Sequence, residues 1–175
     1  MGMKISPAKK PGAEIANKAF IIGFFTILGA WAFELLGGYE PCQLCLAQRN
    51  PYYLGLPIIA ILLVFWEKFP QYLRLAITLL AGAVFVWSVY LGTIHAGIEW
   101  SFWQGPSACA GGASTISFSD LNALNDARVI PCDEPQFRFL GISFAGYNAL
   151  ISLLMVLLLA QSATRQFKAI NHKLI

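Results

Sequence analysis

Residues 75–98 read LAITLLAGAVFVWSVYLGTIHAGI, a run without a single Asp, Glu, Lys or Arg. A helix needs about 20 mainly apolar residues to cross the ~30 Å hydrocarbon core of a bilayer, and this run meets that length. Similar apolar stretches lie at about 19–36, 50–66 and 139–164. A β-barrel would need short segments of alternating polarity, and runs such as 150–159 do not alternate. The sequence therefore predicts a single-domain, all-α integral membrane protein, a bundle of four transmembrane helices.

The overall composition supports a membrane protein. Of 175 residues, 57% are hydrophobic and 12% are charged, and the mean hydropathy is +0.61. A soluble domain usually carries about a quarter charged residues. This chain therefore has too few charges to cover a surface that faces water. The composition excludes a soluble globular enzyme, a disordered protein and a nucleic-acid binder.

The basic residues are divided unequally between the two sides of the predicted bundle. Only Arg49, Arg128 and Arg138 lie in the connections at about 37–50 and 97–138. The other nine lie in the tails and in the connection between the second and third stretches: Lys4, Lys9, Lys10, Lys18, Lys68, Arg74, Arg165, Lys168 and Lys173. Basic connections stay in the cytoplasm. We therefore expect a multi-pass protein of the bacterial inner membrane with both termini cytoplasmic and two periplasmic loops.

The second periplasmic loop, at about 97–138, is too small to form a domain without cross-links. Within it, Ser119 or Asp120 can cap a short helix. Leu121 and Leu124 would give that helix an apolar side. We expect this helix to lie on the membrane surface.

All four cysteines lie in the two predicted outer loops. Cys42 and Cys45 form a C-x-x-C pair in the first loop, and Cys109 and Cys132 lie in the second. Disulfides are expected in an oxidising compartment such as the periplasm. C-x-x-C pairs commonly have a lowered thiol pKa, and the thiolate is the attacking species in thiol-disulfide exchange. The pattern favours a redox relay with all four cysteines as catalytic residues.

Other uses of the cysteines explain less of the pattern. A structural zinc site usually has two closely spaced pairs, and Cys109 and Cys132 are not such a pair. Haem attachment needs a His directly after the motif, where this chain has Leu46. We therefore predict no metal site. Two inert structural disulfides remain the alternative to a relay.

Arg49 lies four residues after Cys45. A helix that starts near the motif would put both side chains on one face. The fixed positive charge would favour a Cys45 thiolate and orient a polar acceptor. An Arg beside a membrane span is costly unless it is paired or functional, although its side chain can also extend to lipid phosphates.

Residues 41–49, PCQLCLAQR, resemble the disulfide bond formation protein B (DsbB) family when taken with the four stretches and the second cysteine pair. Residues 95–99, HAGIE, followed by Trp100, are similar to the alphaproteobacterial branch of that family, as are residues 140–148, LGISFAGYN. The resemblance extends from about residue 19 to residue 159.

The resemblance implies a membrane thiol:quinone oxidoreductase that supports disulfide bond formation. A periplasmic thioredoxin-fold oxidase of the DsbA type would attack Cys109, and the released Cys132 would pair transiently with Cys42. Cys45 would be left as a thiolate beside a bound quinone. Arg49 would hold a quinone carbonyl and stabilise that thiolate. The Cys42–Cys45 and Cys109–Cys132 disulfides would then re-form.

The same resemblance implies the cofactor and the partners. The cofactor is a quinone, either ubiquinone or menaquinone, with Arg49, Cys45 and His95 as its contacts. His95, at the end of the third stretch, either assists protonation of the quinol or caps the helix at the membrane interface. Glu34 and Glu99 lie near the same boundary without an assigned role. The partners are the DsbA-like protein and membrane lipid, and no nucleic acid is expected.

Two other functions compete with this one. A quinone or thiol reductase of the vitamin K epoxide reductase type is expected to carry its C-x-x-C late in the chain, whereas here the motif follows the first stretch. A non-enzymatic membrane scaffold would use the cysteines only as structural disulfides.

Overall fold

The computed structural model describes residues 11–106 and 131–172. They form four helices and a short hairpin: α1 Ala13–Leu35, α2 Gln43–Val64, α3 Gln71–Glu99, β1 Arg138–Phe139, β2 Ile142–Ser143 and α4 Phe144–Asn171. Each predicted apolar stretch overlaps one helix, so the mostly helical architecture is confirmed. Cys109 and the surface helix predicted after Ser119 or Asp120 lie outside the described residues.

Three of the helices in these ranges, α1, α3 and α4, are long and apolar enough to cross a bilayer. They carry large apolar side chains on their outer faces, and Phe25 on α1 is 65% exposed. Val86 on α3 and Leu157 on α4 are likewise exposed. Such faces suit lipid, which replaces water around a membrane helix.

The second helix differs from the other three because its first half is polar. α2 begins at Gln43, well before the apolar stretch predicted from about residue 50. Gln48, Arg49 and Asn50 lie in that first half, and the apolar run follows in the second. The C-x-x-C motif consequently lies at the beginning of α2, with Cys42 as the N-cap residue.

The core of the bundle contains side chains from all four helices. Its buried apolar cluster consists of Ala19, Ile27, Tyr52, Leu56, Ile59, Ala81, Phe85, Met155 and Leu159. The Tyr52 and Phe85 rings meet edge to face, with centroids 5.5 Å apart. Helices α3 and α4 approach closely at Gly92, where an added Cβ would lie 2.9 Å from the backbone nitrogen of Ala149. Small residues at such crossings let membrane helices pack backbone to backbone.

A hairpin that the sequence analysis did not predict precedes α4. Strands β1 and β2 pair antiparallel, with Arg138 opposite Ser143. Leu140 and Gly141 connect them with φ values of 50° and 81°, the sign pattern of a type I′ turn. The Ser143 side chain then accepts a hydrogen bond from the Gly146 N–H and caps α4. The fourth helix therefore begins at Phe144 rather than at about residue 139.

The close approach at Gly92 gives a test of the packing. We expect Gly92→Ala to lower the free energy of unfolding by about 1–3 kcal/mol, because the new methyl group meets backbone that cannot turn away. The measurement is an unfolding titration with sodium dodecyl sulfate in mixed micelles.

The matched control is Gly82→Ala, on the same helix, where an added Cβ meets nothing within 4 Å. That variant should change stability by no more than about 1 kcal/mol, in the stabilising direction, because Ala is the better helix former. Equal effects of the two substitutions would contradict the described α3–α4 packing.

Candidate active site

The two sulfurs of the C-x-x-C motif lie in contact at the N-terminus of α2. Their Sγ atoms are 2.6 Å apart. The Cys42 sulfur also accepts a hydrogen bond from the Cys45 backbone N–H at 3.2 Å, and so occupies the position of a helix N-cap. The partial positive charge at a helix N-terminus stabilises a negatively charged group there. The local fold thus favours a thiolate at Cys42.

The two thiols have opposite pKa shifts. The pKa of Cys42 is lowered from 9.0 to about 5, chiefly by the hydrogen bond with the Cys45 side chain, and further by His95 against the opposing effect of burial. The pKa of Cys45 is raised, first by that same hydrogen bond with Cys42, then by burial, and then by the negative charge of Cys42. In this arrangement the stabilised thiolate is Cys42, whereas the sequence analysis expected it at Cys45.

His95 reaches the motif from the last turns of α3. Its Nε2 atom lies 3.7 Å from the Cys42 sulfur and 3.8 Å from Oε1 of Glu99. Its Nδ1 atom lies 2.5 Å from Nε2 of Gln48 on α2. His95 and Gln48 are both buried. The structure therefore brings His95 to the thiols, and Glu99, which had no assigned role, to His95.

Arg49 points away from the thiols toward α1. Its guanidinium forms an ion pair with Glu34 and lies over the Trp31 ring, 5.5 Å from the centroid. Glu34 is thus the carboxylate that compensates the charge of Arg49 at this depth. A guanidinium has five N–H donors, so pairing with Glu34 leaves donors for a further acceptor.

A cavity of about 480 Å³ lies beside these residues. Both thiols, His95 and Arg49 line it. Aromatic rings form much of the remaining wall: Phe33, Tyr39, Phe137 and Phe144. The Phe33 and Phe144 rings pack edge to face with centroids 4.8 Å apart, so the 131–144 segment closes the cavity against α1. Its size and its mixture of apolar walls with few polar groups are typical of a small-molecule site.

Cys132 lies next to the motif although it is far away in the sequence. It is disulfide-bonded and almost fully buried. Together with Cys42 it forms a buried cluster against which Leu44 and Cys45 pack. Three of the four predicted catalytic cysteines are therefore neighbours, and the fourth, Cys109, lies outside the described residues.

Three of these side chains are of types that bind metal ions. Cys42, Cys45 and His95 offer three ligand atoms that all lie within 4.8 Å of one another. Two sulfurs bound at about 2.3 Å to a tetrahedral zinc ion would be about 3.8 Å apart, farther than the 2.6 Å between these sulfurs. The two sulfurs would therefore have to separate before they could hold a metal ion.

Comparison with known proteins identifies the family of the chain. The family model of the disulfide bond formation protein DsbB matches residues 14–161. The chain belongs to the DsbB family. It is therefore a membrane protein of disulfide bond formation, in a family with thiol oxidoreductase chemistry. No solved structure matches the chain.

A relative from Rickettsia prowazekii (strain Madrid E), named uncharacterized protein RP370, is 26% identical over 166 residues. The match covers 91% of this chain and 92% of the relative. This similarity supports the expected alphaproteobacterial branch of the DsbB family.

Sequence reasoning missed the polar residues that surround the predicted ones in this DsbB-family protein. It assigned no role to Gln48 or Asn148, and none to Glu34. Asn148 donates a hydrogen bond to Gln48 at 2.7 Å across a separation of 100 residues. The available signal was an amide or carboxylate within an apolar run, which is costly in a membrane unless it has a partner.

The low pKa of Cys42 predicts how the reduced protein reacts with alkylating agents. A thiol with a pKa of about 5 is still about nine-tenths ionised at about pH 6. Cys42 alkylation by iodoacetamide should therefore change less than about twofold between about pH 8 and pH 6. Cys45 alkylation should fall about tenfold per pH unit over that range. Peptide mass spectrometry separates the two sites.

The control for this experiment is Cys45→Ala, which removes the side-chain hydrogen bond that contributes most to the low pKa of Cys42. The Cys42 profile should move to higher pH in that variant. A Cys42 rate that falls with the full slope of an ordinary thiol in the unchanged protein would contradict the described geometry.

Proposed function

We propose that this protein is a thiol:quinone oxidoreductase that reoxidises a periplasmic DsbA-type dithiol oxidase. Two electrons pass from the partner through Cys109 and Cys132 to Cys42 and Cys45, and then to a quinone. The observation that carries the proposal is the contact between the two motif sulfurs on the wall of a largely apolar cavity. Cys132, packed against Cys42, provides the link to the second cysteine pair.

The proposed topology has four spans, with both termini in the cytoplasm and the two cysteine-bearing loops in the periplasm. α2 serves as the second span because its second half is apolar. The nine-to-three distribution of Lys and Arg supports this orientation. In it, both cysteine pairs lie in the compartment where disulfides persist.

The residues around the cavity fit a quinone. Its ring would lie among the rings of Phe33, Phe137 and Phe144, and Arg49 would donate a hydrogen bond to a carbonyl oxygen. His95 and Cys45 line the same cavity. When bound, the quinone supplies a two-electron acceptor whose potential drives the reaction. Either ubiquinone or menaquinone satisfies these contacts.

The first half of the proposed reaction moves a disulfide from the second pair to the motif. A thiolate of the partner attacks Cys109, forms a mixed disulfide and releases Cys132 as a thiolate. Cys132 attacks Cys42, which breaks the Cys42–Cys45 bond and releases Cys45 as a thiolate. The largest cause of the raised Cys45 pKa is the hydrogen bond with Cys42, and the negative charge of Cys42 raises it further. A Cys42 sulfur held in a disulfide no longer carries the negative charge that opposes ionisation of Cys45.

The second half returns every cysteine to its starting state. The second thiolate of the partner attacks the mixed disulfide, so the partner leaves oxidised and Cys109 is free. Cys109 attacks Cys132, restores the Cys109–Cys132 bond and releases Cys42. The Cys42–Cys45 dithiol would then close its disulfide and give up two electrons and two protons, which a bound quinone would accept. The low pKa of Cys42 supplies the thiolate that this closure needs.

The test is anaerobic turnover of a reduced thioredoxin-fold oxidase with purified protein and each quinone. We expect one quinone to be reduced for each partner molecule oxidised. The loss of quinone absorbance measures this reduction. Cys109→Ser should abolish partner oxidation and leave quinone binding unchanged, because Cys109 is the sulfur that the partner attacks. A scaffold would give no thiol-dependent quinone reduction, and a reductase would run in the opposite direction. A partner mixed disulfide trapped through a cysteine other than Cys109 would overturn the assignment of the entry thiol.

The role of Arg49 has a separate test. Loss of a hydrogen bond from a charged donor costs about 1.5–3 kcal/mol, so Arg49→Ala should lower kcat/KM for quinone roughly tenfold to a hundredfold. The KM for the partner protein should stay within about twofold, because the proposed contact of Arg49 is with the quinone and not with the partner. Steady-state kinetics with each substrate varied in turn give both values.

Arg74→Ala is the matched control. Arg74 also lies over a tryptophan ring, 5.4 Å from the centroid of Trp66, but it does not line the cavity beside the thiols. Its loss should leave the quinone kinetics unchanged. Equal quinone kinetics in the Arg49→Ala and unchanged proteins would remove Arg49 from the site.

A further inference from the structure

A chain of hydrogen bonds crosses the interior of the bundle and ends at His95. Tyr52 Oη donates to Asn148 Oδ1 at 2.8 Å, and Asn148 Nδ2 donates to Gln48 Oε1 at 2.7 Å. Gln48 Nε2 lies 2.5 Å from His95 Nδ1. Gln48 is 6% exposed and His95 is 2% exposed, so both side chains are largely shielded from solvent. The chain joins α4 and α2 to α3.

The order of donors along this chain determines which nitrogen of His95 carries its proton. A side-chain amide has its acceptor at one end and its donors at the other. Because Gln48 Oε1 accepts from Asn148, the NH₂ group of Gln48 faces His95 and donates to Nδ1. A neutral imidazole whose Nδ1 accepts a hydrogen bond carries its proton on Nε2. Only a simultaneous turn of both amides would reverse this order.

The surroundings of the other nitrogen favour the same tautomer. Nε2 of His95 faces the Cys42 sulfur at 3.7 Å and Glu99 Oε1 at 3.8 Å. The Glu99 carboxyl is buried, and the Ser143 side chain acts on it as a hydrogen-bonding neighbour. An N–H at Nε2 is attracted to both neighbours once they are ionised, whereas a lone pair there would be repelled by them.

The other ionisable groups around this contact come from several elements. Cys45 lies beside Cys42 on α2, and the disulfide-bonded Cys132 packs against Cys42 from the 131–137 segment. Glu99 lies one turn beyond His95 on α3, and Arg138 of β1 acts on Glu99 electrostatically. Among these side chains, His95 is the one in contact with the chain of neutral amides.

We propose that Gln48 and Asn148 are positioning residues that hold His95 as the Nε2–H tautomer, with this N–H directed at the Cys42 sulfur. The Nε2–H group donates to the Cys42 thiolate and stabilises it. This use of the tautomer rests on the proposed function, in which the Cys42 thiolate is needed to close the motif disulfide. The tautomer itself is a property of the resting protein and can be measured without turnover.

The apolar surroundings explain why this chain of hydrogen bonds consists of uncharged amides. A charged group in place of Asn148 would lose its hydration among membrane helices, which is costly without a paired charge. An amide carries no net charge and can be satisfied by two partners in line. Ser152 and Ser88 continue the chain beyond Tyr52, at 3.1 Å and 2.7 Å. The hydroxyl of Tyr52, which orients Asn148, is thus itself hydrogen-bonded on both sides.

The test is ¹⁵N nuclear magnetic resonance of the full-length protein in lipid nanodiscs with ¹⁵N-labelled histidine. The chain has 2 histidines, and His172 at the C-terminus of α4 serves as the internal reference. The spectrum is recorded at about pH 8, above the usual pKa of imidazole. The unchanged protein should give a His95 signal with Nε2 protonated and Nδ1 bare. Asn148→Leu, which leaves Gln48 free to turn, should give a mixture of the two tautomers.

The matched control is Gln166→Met. Gln166 Nε2 donates to Thr78 Oγ1 at 2.8 Å and is 4% exposed, so it is also a buried amide that joins α4 to α3. It does not contact His95, and its loss should leave the His95 signal unchanged. As a second readout, Asn148→Leu should slow Cys42 alkylation at about pH 6 roughly twofold, because a rise of about one unit in a pKa of about 5 lowers the ionised fraction from about nine-tenths to about one half.

A His95 that is protonated on Nδ1 in the unchanged protein would overturn the proposal. This measurement uses the unchanged protein, so it does not require any variant to fold. An unchanged tautomer in Asn148→Leu would overturn the role of Asn148. The outcome is independent of the proposed function. If His95 is protonated on Nε2 but the protein does not reduce quinone, the role of the hydrogen-bonded amides is supported and the oxidoreductase function is contradicted. If His95 is protonated on Nδ1 and the protein is active, the function is supported and the role of the amides is contradicted.

Discussion

The chemistry of this protein depends on one contact at the start of α2, where the Cys42 sulfur accepts a hydrogen bond from the backbone of Cys45. This contact ends the loop, begins the helix and presents the sulfur to the positive end of the helix. The Cys45 side chain then lies within 2.6 Å, and α3 brings His95 to the other side of the sulfur.

The rest of the bundle positions the groups around that sulfur. Membrane helices associate through close packing and a few buried hydrogen bonds, because lipid gives no hydrophobic force between them. Gly92 lets α4 approach α3 closely, and Asn148, the neighbour of the residue that Gly92 touches, then reaches across to Gln48. The polar chain is thus both a packing element and part of the site. His95 connects this chain to the thiol, since one of its nitrogens faces Gln48 and the other faces the Cys42 sulfur.

The sequence alone predicted most of the helical architecture and the thiols. The run at 75–98 is long and apolar enough to be a helix in any packing arrangement, and C-x-x-C has chemistry that depends on local spacing. The hairpin before α4 was missed because two-residue strands leave no periodicity in the sequence.

The polar partners could not be predicted for a different reason. Glu34 meets Arg49, and Asn148 meets Gln48, only because particular helices are neighbours with particular rotations. Local spacing therefore suggested that Arg49 acts on Cys45, whereas the structure pairs it with Glu34. The pKa difference between the two thiols likewise comes from α3 and from burial as well as from the motif.

The outer face of α1 has a consequence for how a ligand would reach the cavity. Phe25, Thr26, Gly29 and Ala30 line the cavity from a helix whose outward side chains are exposed to lipid. A hydrophobic ligand would therefore enter the cavity laterally, from the acyl chains of the bilayer rather than from water. Its occupancy would then depend on its mole fraction in the bilayer, so that diluting the membrane with detergent or excess lipid would weaken apparent binding while the bulk concentration stayed the same.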